Sequence, residues 1–108
     1  MKKSILLVAF VFAFVVTNAN AYESKSGVIS KVEVFGEGNY AFRIRFQGNP
    51  SLCSLNEDWA YIESTDSNYD TKVSSLLSAF AMGATVSIFT EASSRNHCHL
   101  TDITGISK

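Results

Sequence analysis

Only one stretch of this chain carries the period of a helix, and that limits the folds open to it. Tyr69, Val73, Leu76, Leu77 and Phe80 fall at i, i+4, i+7, i+8 and i+11. That spacing draws one apolar stripe along an α-helix. Ser67 is placed to cap its start, and Asp70 suits the exposed N–H groups of the first turn. Gly83 suits the left-handed residue that ends it. Off the stripe lie Ser74, Ser75, Ser78 and Ala81, where a solvated helix ordinarily carries Lys and Glu. The surface is either simply serine-rich or a face that permits close approach of another helix.

The rest reads as strands. Gly27 to Phe35 is the first, with Val28, Val32 and Val34 on one face and Ile29, Lys31, Glu33 and Phe35 on the other. A turn at Gly36 to Asn39 leads into Tyr40 to Phe46, where Tyr40, Phe42, Ile44 and Phe46 alternate with Ala41, Arg43 and Arg45. The two form a hairpin that brings Lys31 and Glu33 near Arg43 and Arg45. A loop from Gln47 to Asp58 precedes a short aromatic strand, Trp59 to Glu63. After the helix come a fourth strand, Ala84 to Thr90, and a fifth, bulged strand, His97 to Thr104. The order β-β-β-α-β-β is that of the OB-fold, a five-stranded barrel with a helix between strands three and four.

Met1 to Ala21 reads as a signal peptide. Lys2 and Lys3 precede the apolar core Ile5 to Val16, and Ala19-Asn20-Ala21 is a small-x-small cleavage site. The core is too short to serve as a membrane span. Residues 22 to 108 then form one small domain, secreted or periplasmic and bacterial. Its seven basic and ten acidic residues give a net charge of −3. No basic excess exists to drive phosphate-backbone binding, so nucleic acid is not an expected partner. Cys53 and Cys98, an even pair in an oxidising compartment, read as a disulfide.

Chemistry is sparse. No G-x-S-x-G, phosphate loop or H-E-x-x-H is present, so neither an enzyme nor a cofactor is expected. Cys98 beside His97 and His99 admits a nucleophile reading, which the disulfide displaces. His97 and His99 point the same way on a strand, but zinc needs a third ligand, and none stands out. Trp59 and Tyr61 share a face, suited either to a core or to stacking on a sugar ring. The Ser26 hydroxyl and nearby backbone amides suit a carboxylate or a sugar hydroxyl.

The run Ser26-Gly27-Val28-Ile29, Cys53 with Trp59 shortly after, and Met82-Gly83 running into Val86-Ser87-Ile88 together resemble the binding subunit of subtilase cytotoxin and its typhoid-toxin relatives. The resemblance spans most of residues 22 to 108. The Cys53-to-Trp59 interval is shorter than the family's, and a long segment before the last strand is missing. The resemblance implies a homopentameric ring of OB-folds with the helix lining the pore, recognition of cell-surface glycans (sialylated ones in particular) and a toxin A chain as partner. It implies that Ser26 and Gly27 contact the sugar, and that Thr90 and Glu91 form the wall beside it. Thr90 stands where the family has an aromatic. The residues alone also admit a monomeric periplasmic protein that binds or inhibits another protein.

Overall fold

The computed structural model describes residues 22–38 and 40–108; the leader read at Met1 to Ala21 lies outside them. The described residues are mainly β with one helix, in the order β1 (Glu23–Val34), β2 (Phe42–Phe46), β3 (Ala60–Ile62), α1 (Tyr69–Met82), β4 (Thr85–Ala92) and β5 (Cys98–Ser107). Pairing runs β1-β2-β3-β5-β4 and returns from β4 to β1, so every strand has two hydrogen-bonded neighbours. All pairs are antiparallel except β3 with β5. Closure removes the unpaired edge that an open sheet presents to other chains.

Strand β1 makes closure possible. Its first half pairs with β4, from Glu23 opposite Thr90 to Val28 opposite Thr85, and its second half pairs with β2. The polar lead Tyr22 to Ser26, ahead of the Gly27 start that the sequence indicates, is therefore mostly strand. Its Glu, Ser and Lys residues have weak strand propensity, and the ladder from β4 overrides it. A bulge between Ile29 and Lys31 divides the halves. The extra residue shifts the alternation, so Ile29 is buried in the core and Val32 packs against it. The uninterrupted alternation read from the sequence had put these two on opposite faces.

Gly27 lies where β1 crosses the Phe46 ring. A Cβ on Gly27 would come within 2.8 Å of that ring. Glycine at this position is thus a packing requirement.

Helix α1 begins after Asn68, which is left-handed at φ 58° and makes no side-chain cap bond; Ser67 does not take the capping role. Gly83 ends it as expected, left-handed at φ 65°, with Gly83 N–H donating to Phe80 and Ala84 N–H to Ala79. The buried helix residues are Leu76 and Ala79, with Tyr69 and Val73 packed partly beneath. Leu77 and Phe80 stay 43% and 41% exposed, so the apolar stripe is only half used. Among the described residues no helix is long and apolar enough to cross a membrane.

Cys53 and Cys98 form the expected disulfide across 45 residues, and both are buried. It ties the loop before β3 to the first residue of β5.

Gly27→Ala is expected to cost about 1–3 kcal/mol by overpacking against Phe46. Urea unfolding measures it, and an unchanged midpoint would show that the ring gives way freely. Replacing both cysteines by serine should cost a further ~2–5 kcal/mol by releasing the closed loop.

Candidate ligand-binding face

Strand β4 alternates cleanly. Val86, Ile88 and Thr90 are buried, while Ser87, Phe89 and Glu91 face outward. Side-chain direction reverses at every residue of a strand, so a displacement of one position changes the face. Thr90, read as a wall for a ligand, points inward: it is fully buried, and its hydroxyl donates to the Leu52 carbonyl. The outward residue at this place is its neighbour Phe89, 36% exposed.

Around Phe89 the β1, β4 and β5 registers assemble a hydroxyl-rich patch. Ser24 lies opposite Phe89, and Ser26 lies opposite Ser87. The Ser26 and Ser87 hydroxyls are 2.8 Å apart and hydrogen-bonded, on the exposed side. Across the other side of β4, Phe89 faces Asp102 and Ser87 faces Gly105. A Cβ on Gly105 would meet nothing within 4 Å, so that position leaves open space beside the serine pair. Tyr22 stacks on Phe89 at 6.4 Å between ring centroids and widens the apolar surface. The patch therefore offers an aromatic face, hydroxyls that both donate and accept, and the Asp102 carboxylate as an acceptor.

Of the residues singled out in the sequence, Ser26 lies in this patch. Gly27 is beside it, with a packing role already described. Thr90 is inside the core. Glu91 lies two residues beyond Phe89 on the same side of β4, where its carboxylate approaches His99 Nδ1 at 3.5 Å. Ser87, Phe89 and Asp102 were not singled out, although the alternation of Val86 and Ile88 carries the signal for Phe89: if those two are core, Phe89 faces out.

A second surface runs across β2, β3 and β5. Glu33, Arg43, Tyr61, His99 and Glu91 are successive cross-strand partners, one from each strand. Here Glu33 meets Arg43 and Arg45, as the hairpin predicted. The Arg43 guanidinium lies between the Phe35 and Trp59 rings, at 4.4 and 4.2 Å. Tyr40 packs edge-on against Tyr61 at 4.7 Å, and His97 packs against Tyr40 and Trp59. Tyr61 is buried, while Trp59 is only half-buried. The histidines are occupied: His97 Nδ1 is 2.7 Å from Glu57, and His99 Nε2 is 2.6 Å from Asp66. Among the described residues no cluster of His, Cys, Asp and Glu is arranged to hold a metal ion. This face reads as a small satellite core in which most polar groups are paired, while Arg43 Nε, 3.5 Å from the Glu33 carboxylate, is buried without a hydrogen bond.

Burial pushes the Tyr61 phenol above its ordinary value, opposed by a hydrogen bond to Ser93. The serine patch, by contrast, is open to solvent and keeps hydroxyls at its surface. Comparisons with protein families, with curated proteins and with solved structures return no match for this chain.

Two outcomes are expected. Thr90→Val should cost about 1–3 kcal/mol, because it leaves the Leu52 carbonyl without its donor. The raised Tyr61 value means that the folded state favours the neutral phenol. Its stabilising contribution is complete below the unfolded value of about 10 and is lost as pH rises through the folded one. Between pH 9 and 11 the wild-type urea midpoint should therefore fall further than that of Tyr61→Phe; equal falls would refute this.

Proposed function

We propose that the chain is a secreted glycan-binding module of OB-fold type, similar in role to the pentameric binding subunit of an AB toxin. The observation that carries the reading is Phe89, exposed beside the Ser26–Ser87 hydroxyl pair and Asp102. A sugar ring has apolar C–H faces and a rim of hydroxyls. It stacks on an aromatic ring and exchanges hydrogen bonds with serines and a carboxylate. The strand order and the closed pairing, with the helix between β3 and β4, support the OB-fold assignment.

The patch is shallow, so a single site binds weakly, and several sites on one ring multiply the effect. Assembly draws support from the helix. Leu77, Phe80 and Met82 expose large apolar side chains, which association would take out of water. Ser74, Ser78 and Ala81 beside them are small and exposed, which suits close approach of a neighbouring helix. The same exposed side chains support the other reading, a monomer that binds or inhibits a second protein.

Light scattering after size-exclusion chromatography separates the two readings. A mass near five chains is expected for the ring, whereas a monomer favours the protein-binding reading. On a glycan array, Phe89→Ala should weaken binding to the best glycan about tenfold per site, corresponding to ~1.4 kcal/mol. Ser26→Ala should weaken it less, since Ser87 remains.

A further inference from the structure

A cleft of about 470 Å³ lies between the first half of α1 and β5. That volume falls within the range of small-molecule sites, about 300–1,000 Å³. One wall is the start of the helix and the residue before it, with Asn68, Thr71, Lys72 and Ser75; the other is β5, with Thr101, Asp102 and Ile103. The lining mixes hydroxyl, amide and charged groups with apolar surface in comparable measure. Lys72 and Asp102 stand on opposite walls, and neither appears in an ion pair among the described residues. A donor on one wall thus faces an acceptor on the other with room between them.

The cleft and the serine patch share Asp102, which lines the cleft and is also the direct cross-strand partner of Phe89. Directly paired residues stand about 4.5–5.5 Å apart at Cα. Thr101, also on the cleft wall, donates its hydroxyl to the Phe89 carbonyl at 3.3 Å. A ring stacked on Phe89 therefore has its edge at the mouth of the cleft, with the Asp102 carboxylate at the boundary.

We infer that this cleft is a second saccharide subsite, which holds an uncharged pyranose linked to the one on Phe89. The inference rests on the glycan-binding reading and adds to it the length of the ligand. The protein recognises an oligosaccharide of at least two rings. Asp102 accepts hydroxyls from both rings, and Lys72 donates to the oxygens of the second. Thr71 and Ser75 serve its remaining hydroxyls from the helix.

The test is calorimetric titration of the protein, purified from expression of the full chain, with four pairs of sugars: galactose and lactose, glucose and maltose, mannose and mannobiose, N-acetylglucosamine and chitobiose. The expected result is one disaccharide binding at least tenfold tighter than its monosaccharide. Ser75→Tyr, which fills the cleft from the helix side, should abolish that gain and leave monosaccharide affinity unchanged. Lys72→Gln, a milder change at a half-buried position, should reduce the gain several-fold and guards against a folding failure of the first variant. A disaccharide no tighter than its monosaccharide, or a gain that survives both substitutions, overturns the subsite while the patch on Phe89 stands. Absence of binding by all eight sugars overturns the subsite for neutral disaccharides, and the glycan array, which includes sialylated glycans, then decides the glycan reading beneath it.

Discussion

The structure depends on one strand hydrogen-bonding along both of its sides. β1 gives its first half to β4 and its second half to β2, and this closes the five-stranded sheet. Two local features permit it. The bulge between Ile29 and Lys31 bends the strand and resets its alternation. Gly27 lets the backbone pass over the Phe46 ring, where any side chain would collide. The remainder follows from closure. One helix packs against β1, β4 and β5, and the disulfide pins the long loop before β3 to β5. Small domains bury a modest fraction of their surface, so a covalent tie of this span is a large part of the stability.

Closure also distributes the chemistry. A closed sheet has a single inner face, which is apolar here, and leaves its outer face free for different uses. On the β2-β3-β5 side the outer face is spent on packing: an arginine held between two rings, two histidines held by carboxylates and a buried tyrosine. On the β1-β4-β5 side it stays open, with serines, one phenylalanine and a glycine opposite. Polar groups that are mostly paired have less to offer a ligand than exposed hydroxyls beside an aromatic ring. That contrast favours the β1-β4-β5 surface as the candidate binding face.

The helix joins these two themes. Its inner side is a narrow contact through Leu76 and Ala79, which leaves Leu77 and Phe80 partly in water. Its N-terminal half supplies one wall of the cleft that opens toward Phe89. A single short helix thus contributes to the core, presents an unpartnered apolar strip and borders the proposed ligand path.

By itself the sequence determined the elements: five strands and one helix in order, the Gly83 stop, the Glu33–arginine pairing of the hairpin and the disulfide. These rest on local physics, namely periodicity, backbone freedom at glycine and the pairing of two cysteines. Tertiary structure alone decided which residues meet. The polar start of β1 became strand because β4 supplied its hydrogen bonds, which no local propensity records. The bulge moved Ile29 and Val32 to the same side, and only the pairing of β1 with β2 shows it. Thr90 and Phe89 exchanged roles because inward and outward alternate residue by residue, so a site read one position away lies on the wrong side of the sheet. Ser26, Ser87 and Asp102 are distant in sequence, and their proximity exists only once the sheet has closed.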